Sequence, residues 1–145
     1  GDWVEMPLGA GCMNDQEGDE YRSWFSDTYS SYSVDGKVID ACLPQLDGVS
    51  FRVVFGRWCG DTRRQLPPMI KVLDALHMND SNCQMVEVDR SKRSDAHNME
   101  GWKIETIPML IVMCGNEEIG RVEEAPVQSW ESDLLLILSR HRQAL

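Results

Sequence analysis

A cysteine stands where the sequence changes from a strand pattern to a helix pattern. The run 51–55 is almost entirely apolar, and Cys59 follows it within the segment 58–62, just before a helical pattern begins. The first N–H groups of a helix have no partners inside the helix, and its N-terminal end favours negative charge. This position therefore suits a thiolate, the form of cysteine that acts as a nucleophile.

Neighbouring charges act on such a thiolate in opposite directions. Asp61, two residues after the cysteine, would disfavour it by like-charge repulsion, unless the carboxylate caps the helix instead. Arg57, Arg63 and Arg64 would favour it. The sequence leaves the sign of this balance open, because the sign depends on which side chains lie over the sulfur.

The region before this segment is predicted to be mainly helical. Residues 1–14 are rich in glycine and lack periodicity, which indicates an irregular arm. A helix is predicted over 15–32, with an aromatic stripe that favours a core position over a ligand platform. The stripe consists of Tyr21, Trp24, Phe25, Tyr29 and Tyr32. A second helix is predicted over 35–43, with Asp35 as its cap and Pro44 just after its end.

The rest of the chain alternates strands with helices. Strands are predicted over 50–55, 84–89, 109–113 and 118–123, the last two joined as a hairpin through Gly115 and Asn116. Helices are predicted from Cys59 to Leu76 with a kink at Pro67 and Pro68, over 95–102, and from Ser129 onward, where the charge order matches the helix dipole. This order of elements predicts an α/β sandwich with a mixed sheet.

Three motifs carry a resemblance to a known family, and a fourth stretch supports it. They are Trp58-Cys59-Gly60, Pro67 eight residues after the cysteine, Ile107-Pro108, and the Gly-Asn-Glu-Glu-Ile-Gly-Arg stretch over 115–121. Together they resemble the active-site strand, helix and loop of the thioredoxin superfamily. The resemblance covers about two thirds of the chain, from Phe51 to the C-terminus.

The resemblance implies a thioredoxin-like sandwich. We expect a central mixed β-sheet of about four strands flanked by helices, with an extra N-terminal helix, in a single domain over 15–145. It also implies a cis peptide bond before Pro108, facing the cysteine across the active-site edge. In such proteins the backbone at Ile107 and Pro108 pairs with an extended substrate peptide. Trp58 would shield the site, while Gly60, Asp61 and Thr62 would complete the active-site turn.

Two departures from the family pattern limit what can be carried over. Thr62 occupies the position of the second cysteine, and Val53 occupies that of the buried acid six residues before the first. Without a second thiol the acid would have no proton to accept, so the two departures agree. A mixed disulfide at Cys59 would need an external thiol, another cysteine of the chain or a partner protein for its release. The Thr62 hydroxyl, one helical turn after Cys59, can still donate a hydrogen bond to a thiolate.

Composition disfavours several other classes of protein. Twenty-four acidic and fourteen basic residues give a net charge of −10, which opposes binding to nucleic acid or anionic membranes. The longest apolar runs are far too short to cross a bilayer. Five cysteines without C-x-x-C spacing and three scattered histidines predict neither a metal site nor a cofactor. The opening residues lack a basic and apolar leader, which favours a cytoplasmic over a cleaved exported form and leaves the compartment open.

Two functions from different classes stay open. In the first, Cys59 is the nucleophile of a monothiol thiol-disulfide oxidoreductase that acts on protein or small-molecule thiols and disulfides. In the second, the fold is a non-catalytic peptide- or protein-binding module with a passive thiol. A peroxidase is disfavoured, because Gly56 stands where that pattern needs threonine or serine. The basic cluster Arg90, Lys92 and Arg93 indicates a solvated loop, with binding of an anionic thiol's carboxylates as the other interpretation.

Overall fold

The computed structural model describes residues 18–94 and 97–144, with side chains described from residue 24 onward. The helices are α1 (Gly18–Ser31), α2 (Gly36–Cys42), α3 (Gly60–Ala75) and α4 (Trp130–Ala144). The strands are β1 (Val49–Phe55), β2 (Cys83–Glu87), β3 (Met109–Cys114) and β4 (Glu117–Glu123). A short 3₁₀ turn over Leu43–Gln45 follows α2. The predicted arm over 1–14 lies outside the described residues.

The four strands form one mixed sheet in the order β2-β1-β3-β4. Strand β1 is central: it pairs in parallel with β2 and antiparallel with β3, and β4 completes a hairpin with β3. Val54 near the end of β1 lies opposite Met109 at the start of β3. The carboxyl end of β1 and the segment that enters β3 therefore meet at one edge of the sheet. This is the thioredoxin-like α/β sandwich that the motifs predicted.

Alternation along the strands gives the sheet two different apolar faces. Phe51, Val53 and Phe55 of β1 belong to a large core cluster with residues of all four helices. Val54 points the other way, into a smaller cluster that also contains Met109 of β3. Successive side chains of a strand point to opposite faces, so a central apolar strand must be covered twice. The helices cover one face, and the connection from β2 to β3 covers the other.

That connection corrects one sequence prediction. A helix was predicted over 95–102, but the described part, 97–102, consists of turns and irregular backbone. Gly101 takes a left-handed conformation with φ of +83°, and Lys103 takes one with φ of +56°, neither of which fits an α-helix. The segment is held from outside instead, because the guanidinium of Arg121 on β4 donates a 2.8 Å hydrogen bond to the carbonyl of Trp102.

Two helix caps lie where the sequence indicated them, while one carboxylate at the start of α4 has a role that the sequence did not predict. Asp35 caps α2 by accepting a bond from the N–H of Lys37, and Ser129 caps α4 by accepting one from Ser132. Glu131 was predicted only as a favourable charge in the first turn of α4. It is buried, and its carboxylate accepts a 2.7 Å bond from the N–H of Asp35.

Within the described residues, no helix combines the length and apolar character needed to cross a membrane.

Candidate functional site

The turn between β1 and α3 places Cys59 at the start of the helix. Its backbone is extended, with φ of −95° and ψ of 124°, and α3 begins at the next residue. The N–H of Cys59 donates to the carbonyl of Gly56 at 2.9 Å, and its carbonyl accepts from the N–H of Arg63 at 3.2 Å. These two bonds close the turn and fix the residue as the helix N-cap. The thiol therefore lies next to the unpaired N–H groups of the first helical turn.

The sulfur of Cys59 is partly exposed and faces the loop before β3. Its Sγ atom lies 4.0 Å from the carbonyl oxygen of Ile107, and the Ile107–Pro108 peptide bond is cis. The side chain of Ile107 is buried in the smaller apolar cluster, against which Trp58 and Cys59 pack. The structure thus brings together the thiol and the prolyl loop, which are 48 residues apart in the sequence.

Trp58 forms a fixed wall on one side of the thiol. Its indole Nε1 donates a 2.9 Å hydrogen bond to the carbonyl of Val88, just after β2. The ring also lies against Gly56, where a Cβ atom would come within 2.6 Å of Nε1. Glycine is therefore required at position 56 by close packing. The guanidinium of Arg90 lies over the other part of the indole, 5.2 Å from the ring centroid.

Thr62 fills the position of the absent second thiol in a way that the sequence did not predict. We expected its hydroxyl to face the Cys59 sulfur. Instead Thr62 is fully buried, and its Oγ1 accepts a 3.2 Å hydrogen bond from the N–H of Gly56. The hydroxyl thereby satisfies a buried backbone donor at the end of β1, which would otherwise carry a desolvation cost. The structure gives Thr62 a role in closing the strand-to-helix turn.

The arginines near the thiol have carboxylate or backbone partners. Arg57 binds Glu87 through two hydrogen bonds of 2.6 and 2.7 Å. Arg64 forms an ion pair with Asp61 across one helical turn, and the Nε of Arg63 donates to the carbonyl of Arg57 at 3.3 Å. Asp61 does not cap α3, since the N-cap is the cysteine itself. Its charge is instead partly balanced by the neighbouring arginine.

Glu124 is a site residue that sequence reasoning missed. It directly follows β4 in a left-handed conformation, with φ of +61°, and its N–H donates a 2.8 Å bond to the carbonyl of Pro108. A hydrogen bond with the carboxyl group of Asp61 raises the pKa of Glu124 above its usual range. The pair joins the prolyl loop to the first turn of α3. In the sequence, the one indication that Glu124 lies near the site was the predicted hairpin, whose second strand ends back beside Pro108.

The other described cysteines lie far from the site or inside the core. Cys42 and Cys83 are buried, and burial raises the pKa of Cys42 to about 11. Cys114 is partly exposed but pairs with Val49 at the opposite end of β1, roughly 20 Å of strand away from Cys59. Cys12 lies outside the described residues. Among those described, no cysteine is placed to form a disulfide with Cys59 within one molecule.

Among the side chains described over 24–94 and 97–144, no cluster of three or more His, Cys, Asp or Glu residues could hold a metal ion. The candidate site consists of the Cys59 thiol, the Trp58 indole, the buried Thr62 hydroxyl and the cis-prolyl loop at Pro108.

Comparison with known proteins gives a fold and no function. No protein-family model and no curated protein matches the chain. A solved structure of a protein of unknown function from Pseudomonas aeruginosa is similar with a TM-score of 0.61 and 12% identity, covering 99% of this chain and 96% of the other. A mutant thioredoxin from Halobacterium salinarum matches with a TM-score of 0.42 and 17% identity, over 74% of this chain and 85% of that one. At such identities the first likeness shows a shared fold across nearly the whole chain and says nothing about activity.

Proposed function

We propose that this protein is a monothiol thiol-disulfide oxidoreductase in which Cys59 is the nucleophile. The observation that carries the proposal is the position of Cys59, a partly exposed residue at a helix N-terminus whose sulfur lies 4.0 Å from the carbonyl before a cis-proline. Partial exposure gives a disulfide access to the thiol, which lies beside the unpaired N–H groups of the first turn of α3. The buried cysteines of the described chain have neither property.

The reaction proceeds by two exchanges at Cys59 and a third exchange between external thiols and the substrate, and together they balance in electrons. The Cys59 thiolate attacks one sulfur of a substrate disulfide, forming a mixed disulfide and releasing the other sulfur as a thiolate that takes up a proton. An external low-molecular-weight thiolate then attacks the mixed disulfide at the substrate sulfur. This attack returns the Cys59 thiolate and leaves the substrate sulfur bonded to the external thiol, and a second external thiol completes the two-electron reduction. The external thiol is needed because Thr62 replaces the nearby second cysteine.

Protein and small-molecule disulfides are both possible substrates of this site. The backbone at Ile107 and Pro108 is proposed to hold the chain on either side of the attacked sulfur, as an added strand would be held. Trp58 would limit the approach from its side, because the indole is fixed by the carbonyl of Val88. The turn residues Gly60, Asp61 and Thr62 would support the site without touching the substrate sulfur.

The test compares Cys59 with Cys114, a matched thiol that is also partly exposed but lies at the other end of the sheet. With iodoacetamide at neutral pH, followed by peptide mass spectrometry, we expect Cys59 to be alkylated faster than Cys114. With hydroxyethyl disulfide as substrate and glutathione as reductant, Cys59→Ser should abolish the protein-dependent rate, while Cys114→Ser should retain it. Equal alkylation of the two thiols together with no effect of Cys59→Ser would exclude the proposal.

A binding module with a passive thiol is the second candidate. The observation that favours it is the buried Thr62, which removes the second thiol and is satisfied by Gly56 rather than by the sulfur. In that case Cys59→Ser would leave peptide binding at the prolyl loop intact, and the protein would show no disulfide turnover.

A further inference from the structure

A polar cleft opens in the segment that follows β2, on the face of the sheet that the helices do not cover. It has a volume of about 430 Å³, within the range of small-molecule sites. Its polar lining includes Lys92, Arg93 and His97, and Glu100 is the acidic residue among the described side chains that line it. The hydroxyl of Ser94 lies 3.4 Å from Nδ1 of His97 within the same wall. A site of this kind offers cationic and hydrogen-bonding groups to a small polar ligand.

The basic side chains of this region are not used in ion pairs of the described structure. Arg90, Lys92 and Arg93 make no side-chain contact within 4.0 Å of a carboxylate among the described residues. Asp89 lies at the base of the same turn, where its Oδ1 accepts bonds from the N–H groups of Ser91 and Arg93. Hydrogen bonds from the Ser91 hydroxyl and from the N–H groups of Arg93 and Ser91, together with the positive charge of Arg93, lower the pKa of Asp89 and direct its carboxylate into the turn. In a chain with a net charge of −10, three basic residues in four positions form a local exception.

The cleft and the thiol adjoin the same apolar cluster. Met99 and Ile104 line the cleft and also pack against the apolar cluster on which Trp58 and Cys59 lie. Arg90 extends the basic region to Trp58, because its guanidinium lies over the indole, 5.2 Å from the ring centroid. A ligand bound here would therefore lie against the same apolar cluster as Trp58 and Cys59.

We propose that this cleft, which we call the Lys92–Arg93 cleft, binds a carboxylate of a small anionic disulfide whose sulfur reacts with Cys59. The inference rests on the proposed function and specifies its substrate class. Arginine and lysine bind carboxylates through charge-assisted hydrogen bonds, and the shape of the cleft suits a small molecule. The exchange itself is the one already described. The overall charge of the protein would favour cationic disulfides, so a preference for anionic ones must come from a local site.

The experiment measures single-turnover exchange of Cys59 with two disulfides of similar size. One is 3,3′-dithiodipropionate, with two carboxylates, and the other is hydroxyethyl disulfide, which is neutral. We expect the dianion to react faster than the neutral compound at low salt, with the ratio falling as salt screens the charges. In the Lys92→Gln/Arg93→Gln variant the ratio of the two rates should fall about fivefold, as expected for loss of roughly 1 kcal/mol of binding.

A matched control removes two positive charges elsewhere. Lys37 on α2 and Arg140 on α4 are exposed, and the Lys37→Gln/Arg140→Gln variant has the same net charge as the cleft variant. It should keep the wild-type ratio. An equal fall in both variants, or a wild-type ratio below one at low salt, would overturn the inference. If neither disulfide reacts faster than with Cys59→Ser, the proposed function fails instead.

Binding is also tested without the chemistry. In the Cys59→Ser protein, titration with 3,3′-thiodipropionate, which has no disulfide bond, should shift the NMR signal of the Trp58 indole N–H. The shift should weaken when Lys92 and Arg93 are replaced and should persist in the Lys37 and Arg140 control. Absence of any saturable shift would overturn the cleft as a carboxylate site, whatever the thiol does.

Discussion

The two faces of the sheet are covered by different kinds of structure. On one face, residues of four helices and of the strands form a cluster that includes fully buried Phe25, Phe51, Leu73 and Leu134. On the other, seven buried side chains are covered by an irregular segment that contributes the partly buried Met99, Trp102 and Ile104. The thiol, its tryptophan wall and the cleft all lie with the irregular face. The difference indicates that the helical face supports the fold, while the irregular face can vary to form a site.

The largest expected difference between the two faces is in stability. Leu73→Ala on the helical face removes a fully buried side chain and should lower the free energy of unfolding by about 2–5 kcal/mol. Met99→Ala on the irregular face removes a partly exposed one and should cost roughly 1 kcal/mol. Urea unfolding of both variants measures the contrast. Equal losses would show that the irregular segment is as much a part of the core as the helices.

Gly56 beside the thiol and Gly120 on the helical face both lie in tight contacts, and substituting each of them compares the two regions more sharply. A Cβ at Gly120 would lie 2.7 Å from the side chain of Ile137 on α4, and one at Gly56 would lie 2.6 Å from the indole of Trp58. Both Gly→Ala variants should lose about 1–3 kcal/mol of stability, because neither neighbour can move freely. Only Gly56→Ala should also change the alkylation rate of Cys59, since it displaces the indole from Val88.

The alkylation rates are measured with iodoacetamide under native conditions, alongside urea unfolding. A changed Cys59 rate in Gly120→Ala would mean that the helical face is coupled to the site. An unchanged rate in Gly56→Ala, with stability lost as expected, would mean that Trp58 does not control access to the thiol.

The smallest expected effect is a pH dependence that belongs to the helical face. Burial raises the pKa of Asp74 on α3 from 3.8 to about 6, against the hydrogen bond that it accepts from the Tyr29 hydroxyl. Because this folded-state pKa is raised, its contribution to stability is complete below about pH 4 and is lost as the pH rises through 6. Asp74→Asn keeps the acceptor without the charge. It should gain about 1 kcal/mol over wild type between pH 4 and pH 8, after allowing for solvent screening.

Urea unfolding at pH 4, 6 and 8 measures this difference. The exposed Asp40→Asn on α2 is the matched control and should show no comparable pH-dependent gain. A gain for Asp74→Asn that shrinks as the pH rises would contradict the assigned cause. The same measurement on Cys59 alkylation should show no effect of Asp74→Asn, which would keep the titration separate from the site.

Much of the fold could be predicted because it follows from local periodicity. Each strand and each of the four helices was predicted to within a few residues, since apolar spacing and caps such as Asp35 and Ser129 are short-range signals. The sequence could not predict the irregular backbone over 97–102, where Arg121 binds the segment from β4. It also missed the burial of Glu131, whose partner Asp35 is 96 residues away.

In the candidate site, too, some features were predicted from the sequence and others were not. The meeting of Cys59 with the loop at Ile107 and Pro108 was expected from the family resemblance, not from spacing. The contact of Arg90 with Trp58 and the hydrogen bond between Thr62 and Gly56 were not expected. Both depend on how the turn after β1 packs against its surroundings in three dimensions. Residue types therefore indicated the chemistry, and packing decided which neighbours surround the sulfur.

The buried carboxylate of Glu131 has a consequence for protein engineering. It joins the last helix to the link between the first two, through the N–H of Asp35 and the hydroxyl of Tyr32. A shortened version that started at β1 would remove both donors together with α2, which packs against α4. A transplant of the thiol-bearing half onto another scaffold would have to supply new hydrogen-bond donors to Glu131 or replace the acid.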